Sequence, residues 1–597
     1  MKRSCSLLLV FAALFLPLTA QPVQRFEQGE TLTYDELIAA YRWLSDHYDA
    51  ARLLEAGTTD AGRPLHLFVI TGSRLFDPVA LGRSGRPVIL INNGIHPGEP
   101  DGMEASLLLA RALLDGTLPP AWHDSVVVAI IPVYNVGGML QRSPYHRANQ
   151  SSPRETGFRG NARHLDLNRD FVKADSRNAR SLERLFTTLR PLVFLDTHTT
   201  NGSDHRYTIT LIPTMYQKMD SVMGTFFHRT MVPALYGAMS RTPYPMTPYV
   251  DPLYGTPERG IVAFNDLPRY STGYASLFNT FAFMTENHVY KPFADRVRSA
   301  YLFMQALTAF TVTHGREMMR MKQQADRRTA DQKEYVLSWQ LDTTRYTMIP
   351  FLGYRMVRMT GAATGLPYRW YDREQPCSCR VRYYDHFVPD KSVQAPAFYI
   401  LPQAWEEAVR RLRLNGIRMY RLMRDTTLTL TVRYITGMET GNRPYNGHYR
   451  HRNIRCRTTK QKIPLYRGDL VIPVDQSGNR YLIQTLEPEA PDAFLAWNFF
   501  DPILERREYF SPATFEERAA EILARDTVLR RAFEARRRSD STFAADRYNQ
   551  LLFIYSHSPW QEDSWMRVPV YRLEENTLLP LEELPTLSWP TAEDSSE

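Results

Sequence analysis

From about residue 65 to residue 288, short apolar runs rich in β-branched residues take turns with amphipathic segments. "LHLFVITG", "PVILINN", "SVVVAIIPVYN", "LVFLDTHTT", "YTITLIP" and "NTFAFMTENH" are too short for core helices and carry strand composition. Between them, "GMEASLLLARALLDG" has helical spacing and stops at Gly116. "DSRNARSLERLFTTLRP" begins at Asp175 or Ser176 and has Pro191 beyond its end. Strands that alternate with helices predict an α/β domain: a mixed, mostly parallel sheet with helices on both faces. In such sheets ligands bind beyond the carboxyl ends of the strands.

That rule selects particular polar residues. His96 and Glu99, in "NNGIHPGEPDGMEA", follow the strand "PVILI". His198 follows "LVFLD", and Glu286 closes "TFAFMTE". Taken singly, each has a bland account. A turn histidine is usually just hydrogen-bonded, and a first-turn glutamate complements the helix dipole. Together, two histidines and a glutamate form a three-ligand zinc set with a fourth position open. The Pro97-Gly98 bend lets His96 and Glu99 turn toward one point.

In order along the chain, "HPGE", "LDLNRDF" at 165–171, "DTH" at 196–198 and a strand ending in "TE" at 285–286 resemble the zinc metallocarboxypeptidases typified by carboxypeptidase A. The resemblance is to an exported, bacterial-type member with a C-terminal extension, and it covers roughly residues 30–310. It implies one Zn2+ held by His96, Glu99 and His198, with Asp166 holding the first zinc histidine. It implies that Asn168 and Arg169 grip the terminal carboxylate of a peptide substrate, and that Glu286 is the general base. Hydrolysis itself requires such a base beside the metal, one that is not a ligand. The arginine that polarises the scissile carbonyl is Arg147 or Arg154, with Arg147 preferred. Tyr270 and Tyr274, in "PRYSTGYASLF", are the two candidates for the family's mobile tyrosine, with core packing the alternative for either. His288 reads as a neighbour of the base. The implied activity is removal of C-terminal residues from peptides. A zinc amidase on cell-wall peptides or acyl-amino acids is the alternative, and a non-catalytic binding protein on the same scaffold is the reading from another class. Side-chain preference is not legible.

A chain of 597 residues exceeds one ordinary domain. "MKRSCS" followed by "LLLVFAALFL" and "LTA" predicts a signal peptide over residues 1–20, cut after Ala20. Without Lys2 and Arg3 the net charge falls from +8 to +6. No later run reaches the roughly 18 apolar residues of a membrane span. A soluble periplasmic or secreted protein is therefore expected. The predicted organisation is a catalytic domain at 21–310, a helical connector at 311–340 and an α+β domain at 341–597. In the last, "QAWEEAVRRLRLNG" and "FEERAAEILARDTVLRRAFEARRRSDS" read as helices, and "GDLVIPVDQSGNRYLIQTLEP" as two strands around Ser477-Gly478-Asn479. The basic stretch His448–Lys462 reads as a solvated loop, and no nucleic-acid motif accompanies it. "PDAFLAWNFFDPIL" reads as core. Cys377, Cys379 and Cys456 allow one disulfide, and a structural role is expected for them.

Overall fold

The computed structural model describes residues 23–200 and 202–585. The segment expected to be a signal peptide, residues 1–20, lies outside the described residues.

Eight strands form the central sheet: β1 (Ala51–Thr58), β2 (Pro64–Ile70), β3 (Val88–Asn92), β4 (Val127–Ile131), β5 (Val193–Thr200), β6 (Ile209–Pro213), β7 (Met246–Pro248) and β8 (Phe281–His288). Their order is β1-β2-β4-β3-β5-β8-β6-β7. The pairs β4-β3, β3-β5, β5-β8 and β6-β7 are parallel, and the other three are antiparallel. This is the mixed, mostly parallel sheet expected.

Alternation along the strands builds two cores. Ile89 and Ile91 face one side, where α1 (Tyr34–His47), α2 (Asp101–Leu114) and the long helix α4 (Phe293–Asp331) pack. Val88 and Leu90 face the other, where Leu182, Leu185, Phe186 and Leu189 of α3 (Arg177–Leu189) pack. Side chains on a strand point to opposite faces in turn, so one run of apolar residues serves both layers.

The segment expected as a connector is the second half of α4 followed by a strand at Glu334–Leu341. A single stripe runs the length of α4: Phe293, Val297, Ala300, Met304, Leu307, Thr311, Gly315, Met318, Ala325 and Thr329 are buried. Past Leu307 the stripe is mostly small or polar, so its hydrophobic signal fades while its packing continues.

The C-terminal half is built on a seven-stranded sheet. Three of its segments differ from expectation. Asn479–Leu486 is helical, because a short apolar run has no decisive period. The charged stretch 512–539 is two helices broken at Asp526, whose side chain accepts from the Val528 and Leu529 amides and starts the second. His451–Leu465 is a strand at the end of the strand order, with Ile454 and Ile463 buried and Arg452, Arg455, Arg457 and Lys462 exposed. Outward Arg and Lys protect such an edge from pairing. Trp497 and Phe494 are fully buried, as the core reading expected. Cys377, Cys379 and Cys456 are free among the described residues. Among the described residues no helix is long and apolar enough to cross a membrane.

The two halves share one core. The apolar cluster under α3 continues through Tyr274 into Tyr399, Leu412, Tyr481, Leu482 and Phe494.

Candidate metal centre and catalytic cleft

The centre sits where β3, β5 and β8 end. β3 stops at Asn92, and the chain turns through His96 and Glu99 into α2. Gly102, in the first turn of α2, makes this turn possible. A Cβ there would come within 2.1 Å of Thr197 Oγ1, so only glycine lets the helix lie against the strand that carries His198. In β5-β8 pairing, Glu286 stands directly opposite His198.

His96, Glu99 and His198 each offer a ligand atom, all within 4.8 Å of one another, and all three residues are buried. His96 Nδ1 lies 3.4 Å from Glu99 Oε1, and His198 Nδ1 lies 3.1 Å from Glu99 Oε2. Both rings are held from behind. Asp166 Oδ1 meets His96 Nε2 at 2.9 Å, and Asp196 Oδ2 meets His198 Nε2 at 2.8 Å. Carboxylates on the far nitrogens turn the two Nδ1 atoms toward Glu99, the side a metal would occupy.

Electrostatics agree. Burial alone would push Glu99 up. His96 and Arg147, with hydrogen bonds from both histidines, outweigh it and hold the carboxyl well below its usual range. Burial would lower His198, yet Asp196 and Glu99 hold it well above the ordinary histidine value. The pocket is built to hold positive charge between these three ligand atoms. The donor set, the buried geometry and the carboxylates behind both rings fit Zn2+.

Around the centre lie Arg147, Arg159, Asn168, Arg169, Tyr249, Tyr270 and Glu286. Glu286 is partly exposed to the cleft, and burial pushes it up to about 8. Arg169 places its guanidinium over the Tyr270 ring, 4.6 Å from the centroid. A surface pair of Arg169 with Asp170 is not formed, since Asp170 is taken up by Lys173 and Ser176. Asn168 accepts from the Ser271 amide at 3.1 Å and turns its Nδ2 toward His198.

Arg147 is in the cleft, donating to Glu99 Oε1 and to the Thr199 carbonyl, both at 2.8 Å. Arg154 is exposed and is not among the cleft residues. Tyr274 is not brought to the cleft either. It is buried in the core and its hydroxyl donates to Asn415 Oδ1 at 2.6 Å. It lies one helical turn past Tyr270, on a short helix with one face on the cleft and the other on α3. His288 bonds the Ser203 carbonyl at 3.0 Å, as a neighbour would.

Two functional candidates escaped sequence reasoning. Asp196 lies two residues before His198 on the same strand face, a signal the period-2 rule contains. Arg159 donates to Asp166 Oδ2 at 2.9 Å and approaches His96 Nδ1 at 3.3 Å. It is the arginine of "GFRGN", seven residues before Asp166, and carries no local mark that sets it above Arg147 or Arg154.

Residues 40–185 match the family model described as zinc carboxypeptidase. The match spans less than half of the chain. The matched stretch holds His96, Glu99, Arg147, Arg159, Asp166, Asn168 and Arg169, and ends before His198, Tyr270 and Glu286. Folding brings the later residues to the same point. Among solved structures, a metallo-carboxypeptidase from Burkholderia cenocepacia is similar at 17% identity and a TM-score of 0.35, over 48% of this chain and 69% of that one. Carboxypeptidase A from Helicoverpa armigera is similar at 14% and 0.35, over 49% and 76%. A metallo-carboxypeptidase from Pseudomonas aeruginosa, in complex with (2-guanidinoethylmercapto)succinic acid, is similar at 15% and 0.35, over 48% and 70%. No curated protein matches the chain.

Proposed function

We propose that the protein is an exported zinc-dependent carboxypeptidase. One observation carries this reading: Arg169 and Asn168 flank the same cleft as the His96-Glu99-His198 ligand set and the Glu286 carboxyl. His96, Glu99 and His198 would hold the zinc, with Asp166 and Asp196 fixing the rings. Zinc there supplies a Lewis acid that activates water and polarises a carbonyl. Glu286 takes up a proton from the attacking water at its carboxylate and returns it to the leaving amine. Arg147 and Arg159 place positive charge on the wall where an oxyanion develops. Arg169, half-buried on Tyr270, meets the substrate's terminal carboxylate with two parallel N–H bonds.

The test is a pair of peptides that differ only at the C-terminus. The free acid should be cleaved, and its amide far more slowly. In Arg169→Ala the acid should lose about tenfold to a hundredfold in kcat/KM, and the gap between the two should shrink. A generally damaged variant would lose both in proportion. Equal cleavage of acid and amide by the unmutated protein would replace this reading with a zinc amidase.

A further inference from the structure

Both walls of the cleft that would meet the substrate carboxylate are held by the C-terminal half. The first contact is a hairpin tip. Strands Thr426–Thr440 and His451–Leu465 pair antiparallel, and their connection closes in a turn with Tyr445 N to His448 O at 2.8 Å. Asn446 and Gly447 sit at its centre with φ of 50° and 86°. An Asn-Gly pair is the residue choice that positive φ at both positions demands. The Asn446 side chain is not needed for that turn. Its Oδ1 accepts from the Asp166 backbone amide at 2.7 Å, across to the catalytic half. Asp166 in turn holds His96, and its Oδ1 also accepts from the Asn168 amide at 3.0 Å.

The chain beyond Arg169 is strained and held from the same side. Val172 has φ of 75° and Ala174 φ of 45°. A β-branched residue in the left-handed region is an outlier that persists only where its surroundings over-determine it. Tyr481 donates to the Val172 carbonyl at 3.3 Å, Arg411 to the Lys173 carbonyl at 2.8 Å, and His448 meets Asp175 at 2.7 Å. On the facing wall, Asp492 accepts from the Arg269 amide at 3.0 Å and pairs with its guanidinium at 3.0 Å. Tyr270, on which Arg169 stacks, is the next residue. It is therefore clamped at its base.

We infer that the C-terminal half is the positioning device of the exopeptidase cleft, with Asn446 as the positioning residue for the segment Asp166–Arg169 and Asp492 for Tyr270. The inference rests on the carboxypeptidase reading above and assigns a role to a region that reading leaves idle.

Asn446→Gly in the full-length protein is the direct test. Glycine keeps the left-handed turn and removes only the side chain, whereas alanine would strain it. KM for the free-acid peptide should rise about twofold to tenfold, the scale of one net hydrogen bond, with kcat nearly unchanged and one zinc per chain retained. The amide peptide should be unaffected. Hydrogen exchange of the amides at 166–175 should accelerate while β3 and β5 keep their protection. Asp492→Asn should do the same for residues 269–271. Unchanged KM together with unchanged exchange in both variants would overturn the inference, as would a proportional loss on both peptides, which marks general damage. If the unmutated protein does not prefer the acid, the carboxypeptidase reading fails by itself. Exchange at 166–175 then decides alone whether the hairpin tip holds that segment.

Discussion

At the residue scale, the proposed centre depends on three ligand atoms and one carboxyl that is not a ligand. Three protein ligands leave no spare, so His96→Ala and His198→Ala should each lose most bound zinc, read by metal analysis after dialysis. Full occupancy in both would mean that the ligand set is wrong. Glu286→Gln should keep zinc and fold but lose about two to four orders of magnitude in kcat. Near-normal turnover would move the base elsewhere. A second buried acid lies outside the cleft. Glu183 of α3 accepts from Asn415 Nδ2 at 2.7 Å and from the Val172 amide at 3.1 Å. Burial pushes it from 4.5 up to about 8. The folded state then holds a proton that the unfolded chain releases between those values. Its stabilising contribution is full below about pH 4.5 and is lost as pH rises through about 8. Melting temperature should therefore fall between pH 5 and 8.5 relative to Glu183→Gln, which cannot titrate. A gap between the two proteins that stays constant over that range would show that Glu183 is ionised in the fold.

At the scale of elements, α3 anchors the segment that carries Asn168 and Arg169. Ser176 caps the helix, its Oγ accepting from the Ala179 amide at 2.9 Å and donating to buried Asp170. Ser176→Ala should cost about 0.5–2 kcal/mol for the cap, and more if Asp170 is left short of a donor. Ser176→Thr should recover much of it in a denaturant melt. An unchanged midpoint in the alanine variant would mean that the cap contributes nothing. Start and stop signals of this kind are readable: Ser176 opens its helix, and Pro191 and Gly116 lie just past the ends of theirs, where the sequence puts them. The second half of α4 was not readable as packed helix, because Thr311, Gly315 and Thr329 give no hydrophobic period. Gly315 is needed all the same, since a Cβ there would come within 2.6 Å of Pro87.

At the scale of the whole molecule, the continuous core argues against two separable domains. Leu182 and Phe186 of α3 belong to the same apolar cluster as Leu412, Tyr481 and Leu482 of the C-terminal half. Residues 21–340 expressed alone would leave that face open to water, and an exposed apolar area of this kind drives association. The fragment should aggregate or bind a hydrophobic dye, while the full chain does neither. A monomeric fragment with full zinc content, by sedimentation and metal analysis, would show that the halves are independent.

Alternating strand and helix periods dictate the α/β layering of the first half, because they leave few other ways to bury so much apolar surface. The same periods put His96, Glu99, His198 and Glu286 at strand ends, where the edge rule joins them. Relations across the chain emerge only on folding. Tyr270 faces the cleft and Tyr274 the core, since helix rotation is set by what packs on each side. Arg159 reaches the centre through a loop whose course no local pattern encodes. The Asn446 contact spans 280 positions and rests on a single side chain, far below any periodic signal. Hydrophobic period is a sum over many residues and survives in sequence. A polar contact between two of them appears only when the chain is closed.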